Sequence, residues 1–329
     1  IKAAMPDLPG SFPSTAKVMM NVMLRNLILG ALLAAPTLFT EATARTYVLP
    51  PSDIDIIGTV EVIPARQEDT LLDIAREFDI GQEEIMHANP NVSRWLPEEG
   101  TEVVLPLAYI LPMAPREGLV LNLPEMRLYL YGQHDKQGRP VVITYPASIG
   151  RMDWKSPLGE TKVVKKMQDP TWYPTPSLRA EAAAEGEPLP EMVPPGPDNP
   201  LGRYALYLGF PGYLIHGVDK RKAFGIGMRV THGCIRLYPE DVEQLFPLVP
   251  IGAKVRFVDQ PVKLGWLADT LFIEVQPPLE ENKMSDEALY NLASNLIGEQ
   301  RKLRPVEVDD NLLLQAIIDK SGMPVAVSR

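Results

Sequence analysis

Apolar and polar residues alternate with a period of two along much of the chain from residue 118 onward. Leu119, Leu121 and Leu123 occupy alternate positions, and the same spacing resumes at Met126 after a turn. This period is typical of β-strands. Further strands are predicted over residues 141–149, 161–166, 203–210, 213–216 and 253–258. The pattern therefore predicts a mainly β domain over residues 118–259.

Two flanking segments show a different pattern. Residues 59–107 predict a short strand, two helices and a closing strand, which is a small βααβ domain, and Asp69 is the expected cap of its first helix. Residues 260–329 predict a strand and two helices, the first capped by Ser285, and so form a short C-terminal α/β extension.

Proline marks two stretches that lack any periodicity. Residues 45–58 are predicted to be a linker. Residues 177–202 combine an Ala- and Glu-rich run with several prolines, which predicts a long loop. Such a loop is either functional or a tolerated surface insertion.

The first 44 residues resemble an export signal. Lys17 and Arg25 precede an uncharged apolar run over residues 27–39, and small residues follow at 42–44. The run is too short to span a bilayer, which needs about 20 residues. Residues 1–44 are thus predicted to be a signal peptide with its upstream residues, cleaved after Ala44, although an uncleaved anchor is the alternative.

The net charge and the cysteine content limit the classes of function that the chain can have. The formal net charge of −10 argues against nucleic acid as a partner, because phosphate binding needs a basic face. The chain has one cysteine, Cys234, so it has no internal disulfide. The thiol is either buried and inert or reactive.

The surroundings of Cys234 in sequence favour a reactive thiol. His216 ends an apolar stretch, and His232 stands two residues before the cysteine. A thiol is a strong nucleophile only as thiolate, and a nearby imidazole can take its proton. These residues suffice for a Cys–His acyl-transfer enzyme, with a structural cysteine as the alternative.

The His216-Gly217 pair and the Thr-His-Gly-Cys sequence at 231–234 resemble the signature of YkuD-type L,D-transpeptidases, with Thr231 in place of the usual Ser. Further similarity to the ErfK/YbiS-like periplasmic enzymes of Gram-negative bacteria lies at residues 145–150, 157–159, 169–172, 194–202 and 213–217. Val218-Asp219 departs from the more common Thr-Asn pair. The resemblance implies a YkuD-type β-rich catalytic domain.

The resemblance also implies roles for the central residues of the motif. Cys234 is expected to be the nucleophile and His216 its base. The carbonyl of Gly217 is expected to orient the imidazole.

Roles for the neighbouring residues follow from the same resemblance. The N–H groups of Gly233 and Cys234 are expected to bind the oxyanion. Thr231, His232 and Arg236 are expected to contact the substrate, Arg236 through a carboxylate.

Residues 59–107 resemble a LysM module, through an Asp-Thr-Leu sequence at 69–71 and an Asn-Pro pair at 89–90. The resemblance implies binding to peptidoglycan glycan strands, with a degenerate spacer as the alternative. A remote binding module raises effective concentration without entering the transition state. The module is therefore expected to take no part in the chemistry.

The implied reaction is two acyl transfers on peptidoglycan in the periplasm. Cys234 attacks the carbonyl of the third stem residue, at the L-centre of diaminopimelate, and D-alanine leaves. An amine then resolves the thioester, and no metal or cofactor is needed. The preferred acceptor is a lysine of an outer-membrane lipoprotein. The alternatives are 3→3 cross-linking and L,D-carboxypeptidase activity.

Two other classes of protein are compatible with an exported cysteine. In NlpC/P60 peptidases the cysteine precedes the histidine, whereas here His216 comes first. A glycan-binding protein with an inactive catalytic domain is the other alternative. The intact motif argues against it.

Overall fold

The computed structural model describes residues 44–219, 223 and 225–328. The predicted signal peptide lies outside the described residues except for Ala44. Within the described ranges, no helix is long and apolar enough to cross a membrane.

The helices and strands follow one another as a mixed but strand-rich chain. The strands are β1 Arg45–Val48, β2 Ile56–Gly58, β3 Glu61–Pro64, β4 Glu102–Leu105, β5 Ala108–Ile110, β6 Leu119–Asn122, β7 Arg127–His134, β8 Pro140–Pro146, β9 Ile149–Gly150, β10 Gly159–Gln168, β11 Tyr204–Leu208, β12 Leu214–His216, β13 Arg229–Thr231, β14 Ile235–Arg236, β15 Lys254–Val258, β16 Val262–Leu267, β17 Thr270–Val275 and β18 Val325–Ala326. The helices are α1 Leu71–Glu77, α2 Gln82–Ala88, α3 Pro176–Ala184, α4 Pro239–Leu248, α5 Asp286–Leu303 and α6 Asp310–Asp319, with a 3-10 turn at Glu280–Asn282.

A nine-stranded sheet forms the centre of the molecule, in the order β1-β8-β7-β6-β15-β10-β11-β12-β14. Its neighbours are antiparallel except for the β6–β15 and β12–β14 pairs. One face packs on α4 through Val242 and Leu245. Beside β6 and β7 the other face is also covered, because Val120 and Tyr129 pack against Tyr109. The mainly β fold predicted from the alternation is confirmed.

The prediction that residues 45–58 form a linker is wrong. β1 is the edge strand of the central sheet, where Thr46 lies opposite Ile143 of β8. β2 pairs with β5. Residues 45–48 alternate between partly buried and exposed positions, as an edge strand does. The prolines at 50 and 51 lie between the two strands and interrupt neither of them.

Residues 59–107 fold as the predicted βααβ arrangement. β3 and β4 are antiparallel, and α1 and α2 pack over them around Ile74 and Ile85. The cap of α1 differs from the prediction. Thr70 accepts from the N–H of Asp73, whose carboxylate bonds back to Thr70 in a capping box. Asp69 instead accepts hydrogen bonds from Arg66.

The segment at 177–202 is not simply a loop. Thr175 caps α3, which continues into the Ala-rich run, where helix propensity is high. The residues after α3 are held by a β-bridge between Trp172 and Val193. They are also held by Asn199, whose side-chain amide donates to the carbonyl of Pro170 at 2.8 Å.

The C-terminal extension contains the predicted strand (β17) and both predicted helices, α5 with Ser285 as its cap. β16 and β18 complete a three-stranded sheet around β17. The extension is attached through Lys263, which is fully buried and lies 2.8 Å from both Glu125 and Glu274. A buried ammonium group is tolerated only where opposite charges compensate it, and the two carboxylates do so for Lys263.

Candidate active site

The pairing of β12 with β14 brings the predicted nucleophile and base together. The two strands are parallel, with Ile215 opposite Ile235 and His216 opposite Arg236. Residues directly opposite one another project to the same face of a sheet, and alternate residues share a face. Ile215 and Ile235 are buried on one face. Cys234 directly precedes β14, and continuing the alternation back from Arg236 assigns it to the face of His216 and Arg236.

A carbonyl fixes the orientation of the His216 ring. Nδ1 lies 2.6 Å from the oxygen of Gly217, and the imidazole is buried. Because a carbonyl oxygen can only accept, Nδ1 carries the proton and Nε2 keeps its lone pair. This arrangement agrees with the orienting role predicted for Gly217 and gives His216 the tautomer of a base.

Burial lowers the pKa of His216 to about 3, and the charge of Arg236 acts in the same direction. Hydrogen bonds to the backbone of Gly217 and Leu201 oppose this shift. The imidazole is thus neutral at physiological pH and able to accept a proton.

The thiol of Cys234 is half-buried. Burial raises its pKa, against the smaller opposing effects of the Leu214 backbone and the Arg236 charge. Sγ lies 3.7 Å from the carbonyl oxygen of Gly212. Among the described residues no hydrogen bond joins Sγ to the imidazole; such contacts are often long without substrate and tighten in the complex. The resting pair is therefore a neutral thiol and a neutral imidazole.

These shifts give a specific pH dependence for alkylation of Cys234 by iodoacetamide. Since the thiolate forms only above a raised thiol pKa, the rate is expected to increase as the pH rises through the alkaline range. No step is expected near 6.5, the ordinary value of an imidazole, because His216 stays neutral there. A rate that is already at its plateau at neutral pH would indicate a thiolate–imidazolium pair and contradict this description.

Hydrogen bonds within the turn before Cys234 involve Thr231 and Gly233, and they differ from the roles predicted for these two residues. The hydroxyl of Thr231 donates to the carbonyl of Cys234 at 2.7 Å and accepts from the N–H of Gly233 at 3.1 Å. Thr231 is only 1% exposed, so it shapes the turn and does not contact substrate. The N–H of Gly233 is already occupied by that hydroxyl and is not available to an oxyanion in this conformation.

Gly233 is required by the backbone at this turn. Its φ is +99°, and a Cβ at this position would lie 2.8 Å from the Tyr213 ring. Ser156 adds a second brace that sequence reasoning missed. Its hydroxyl donates to the carbonyl of Gly233 and accepts from the N–H of Gly150, both at 2.9 Å.

Arg236 presents an unsatisfied cation beside the Cys–His pair. Its Nε atom is buried and has no hydrogen-bond partner in the part of the chain that the structure describes. Its charge acts on both His216 and Cys234. A guanidinium whose buried Nε has no partner among the described residues is suited to a carboxylate ligand.

His232 connects the nucleophile turn to the segment at 177–202. Its Nε2 lies 3.3 Å from Oε2 of Glu181 on α3. The His232 ring packs edge-on against Trp154, with centroids 5.3 Å apart. Glu181 also accepts a hydrogen bond from Arg151. Glu181 was not found from the sequence, because nothing in its Ala-rich surroundings marks it as part of a site.

Comparison with known proteins agrees with this geometry. Residues 116–257 match the family model YkuD, described as the L,D-transpeptidase catalytic domain. The chain is 40% identical over 314 residues to the Escherichia coli K12 protein named "Probable L,D-transpeptidase YbiS", covering 94% of this chain and 100% of the relative. It is 38% identical over 290 residues to "Probable L,D-transpeptidase ErfK/SrfK" of Salmonella typhimurium, covering 87% of this chain and 92% of that one.

A solved structure resembles it more distantly. The catalytic domain of the Enterococcus faecium L,D-transpeptidase superposes with a TM-score of 0.33 at 20% identity, covering 45% of this chain and 100% of that domain. The sequence relatives cover nearly the whole chain at 38–40% identity. With the family motif placed on adjacent strands, they show that the chain belongs to the YkuD family of L,D-transpeptidases.

Proposed function

We propose that the chain is an exported, periplasmic cysteine acyltransferase that acylates Cys234 with a peptidoglycan stem peptide. The observation that carries this proposal is the pairing of β12, which ends at His216, with β14, which begins directly after Cys234. The Gly217 carbonyl accepts from Nδ1 of the imidazole, which leaves the lone pair of the base on Nε2. The family membership supplies the reaction class, transfer of an acyl group from an L-centre.

The first half-reaction forms a thioester. As Sγ of Cys234 attacks the carbonyl carbon of the third stem residue, its proton passes to Nε2 of His216. The resulting oxyanion collapses, the peptide bond to D-alanine breaks, and the imidazolium gives its proton to the leaving amine. In the second half-reaction an amine attacks the thioester and loses a proton to His216. The Cys234 thiol then leaves with that proton.

Stabilisation of the oxyanion is assigned to the N–H of Cys234. Arg236 donates its N–H to the carbonyl of Ser148 at 3.0 Å, whereas the N–H of Leu237 donates to His216 of β12. Hydrogen-bonding directions alternate along a strand, and continuing this alternation to Cys234, just before β14, directs its N–H to the Ser148 side. It is therefore outside the pairing with β12 and can meet the developing charge.

Arg236 is proposed to bind a carboxylate of the stem peptide. Its buried Nε without a partner is the supporting observation. A guanidinium can hold a carboxylate through two parallel hydrogen bonds, which fixes orientation as well as position.

The domain at 59–107 is proposed to be a LysM module that binds glycan strands. Its loop between α2 and β4 exposes Trp95 and Leu96, which are 64% and 71% exposed. Exposed apolar side chains that lie together mark interaction surfaces.

The acceptor is proposed to be a lysine of an outer-membrane lipoprotein, selected by the segment at 177–202. Any primary amine can resolve the thioester, so the selecting surface must lie beside Cys234. The contact between Glu181 and His232 puts α3 at that position. A carboxylate there favours the approach of an ammonium group.

A competition experiment tests the acceptor. The acyl-enzyme is given equal amounts of a peptide with a C-terminal lysine and a tripeptide-stem muropeptide, and the products are weighed by mass spectrometry. The lysine adduct is expected to dominate, and Glu181→Gln should lower its share. Glu185→Gln, an exposed change at the end of the same helix, should leave the ratio unchanged. A pool of stem dimers would contradict the proposal, and free tripeptide alone would indicate a carboxypeptidase.

A further inference from the structure

The module at 59–107 contacts the loop that leads to the nucleophile. The first N–H groups of α2, those of Gln82 and Glu83, donate to the carbonyls of Ile226 and Gly227 at 3.0 and 3.1 Å. The first N–H groups of a helix have no partner within it, so these carbonyls satisfy them. Ile226 is fully buried. The contact thus joins backbone to backbone between the module and the segment that separates His216 from Cys234.

Two glycines make this approach possible. A Cβ on Gly227 would lie 2.3 Å from the Cα of Gly81, and a Cβ on Gly81 would lie 3.1 Å from the Cα of Gly227. A side chain at Gly227 does not fit without moving the backbone of the module, and one at Gly81 would make a tight contact. The separation of the module from the loop is therefore set by the absence of side chains at both positions.

A buried ion pair holds the start of α2 on the central sheet. Glu84 accepts a hydrogen bond from Arg127 of β7 at 2.7 Å, and Arg127 is fully buried. The same carboxylate oxygen accepts from the N–H of Gly81. Breaking such a pair leaves an uncompensated buried charge, so this end of α2 is firmly anchored.

The module also contacts the chain that follows the nucleophile. Arg76 of α1 donates to Glu240 at 2.8 Å, and its guanidinium lies 4.0 Å from the centre of the Tyr238 ring. The Tyr238 hydroxyl donates to the carbonyl of Ile80 at 3.4 Å. Residues on both sides of Cys234 are therefore held by the same part of the module.

From the contact at 226–227 a continuous series of hydrogen bonds leads to the thiol. The next residue, Met228, accepts from Ile149 of β9, and β13 continues the pairing to Thr231. The hydroxyl of Thr231 then holds the carbonyl of Cys234. Only a few hydrogen-bonded residues separate Gly227 from Cys234. A shift of the backbone at Gly227 is therefore expected to move Cys234 as well.

We propose that residues 79–84 of the module are a positioning element for the catalytic loop, so that the module sets the placement of Cys234 in addition to any binding of glycan. The sequence suggested a remote module that contributes only local concentration. The contacts give it a part in the chemistry, exerted through the loop and without touching substrate. The proposal deepens the proposed acyl transfer, and its effect on turnover rests on that function.

The loop offers a matched pair of variants. Gly227→Ala places a methyl group against the module, whereas among the described residues Gly225→Ala has no neighbour closer than 3.7 Å. Both glycines have positive φ, +77° and +98°, so both changes carry backbone strain. Only the first change pushes the module away.

With a soluble tetrapeptide donor, Gly227→Ala is expected to lower kcat on the order of 10- to 100-fold, since small misplacements of reacting groups cost rates of this size. The donor KM and binding to sacculi should stay near the wild-type values. The pH profile of Cys234 alkylation should also shift. Gly225→Ala should stay within about threefold of wild type in kcat and keep the wild-type profile.

A second pair of variants changes arginine side chains and is expected to disturb folding less than the glycine substitutions. Arg76→Gln removes the contacts with Glu240 and Tyr238, whereas Arg66→Gln removes ion pairs with Asp69 and Glu77 inside the module. Arg76→Gln should lower kcat several-fold and shift the alkylation profile, and Arg66→Gln should do neither. Equal kcat and equal alkylation profiles within each pair would overturn the positioning role. Alkylation needs no donor, so a wild-type protein that is alkylated but does not turn over would contradict the proposed function alone.

Discussion

Cys234→Ala is expected to abolish acyl transfer while leaving the fold intact. The thiol is the proposed nucleophile that carries the acyl group between the two half-reactions, and the chain has no other cysteine to replace it. Loss of a nucleophile typically lowers kcat by about 10⁴-fold or more. The side chain is small and half-buried, so its removal leaves little cavity. Product release from a soluble tetrapeptide measures the effect, and circular dichroism measures the fold.

A folded Cys234→Ala protein that keeps more than about a hundredth of the wild-type turnover would remove Cys234 from this role, because such a residue is not the nucleophile. A matched control lies in the same turn. Thr231→Ser keeps the hydroxyl that braces the Cys234 carbonyl and should stay close to wild type.

His216→Ala is expected to slow acylation of Cys234 by about 10²- to 10⁴-fold at neutral pH, the usual contribution of a general base. The raised thiol pKa makes the loss large, since little thiolate forms without a base. The deficit of the variant is also expected to depend on pH. As the pH rises towards the thiol pKa, more thiolate is present without help, so the deficit of the variant should shrink.

Acylation can be followed by intact mass with a carbapenem, which the family resemblance implies is a mimic of the acyl donor. His134→Ala is the control, because His134 is exposed at the end of β7. Equal rates for wild type and His216→Ala at neutral pH would remove His216 from the role of base. A deficit that does not change with pH would point to a structural role instead.

The candidate residues at the centre of the site could be identified from sequence because they are local. His216 and Gly217 are adjacent, and the orienting hydrogen bond runs between neighbours. Cys234 directly precedes β14, the strand that pairs with the strand of His216. The motif therefore contains most of the information on the nucleophile, its base and the orienting carbonyl.

The roles that failed depend on geometry that a motif does not contain. Thr231 has the composition of a substrate contact, but its hydroxyl is used within the turn. The same bond occupies the N–H of Gly233. Glu181 contacts His232, and Gln82 contacts the loop that leads to the nucleophile. Both come from distant parts of the chain, so no spacing rule could have indicated them.

The fold shows the same division. Period-two alternation located the strands of the central sheet, whereas the edge strand at residues 45–48 was missed because nearby prolines suggested a linker. Lys263 is a charged residue at a fully buried position of β16. Its partners, Glu125 and Glu274, come from separate elements, so a sequence pattern alone would place it in solvent.

The central claim is that Cys234 carries the stem peptide as a thioester, and the intact mass of the acyl-enzyme tests it most directly. Wild-type protein is mixed with a soluble tetrapeptide donor without an acceptor and quenched in acid. The predicted result is a mass increase equal to the donor minus D-alanine, located on the peptide that contains Cys234 and absent from Cys234→Ala. An unchanged wild-type mass during turnover, or the same adduct on Cys234→Ala, would contradict it.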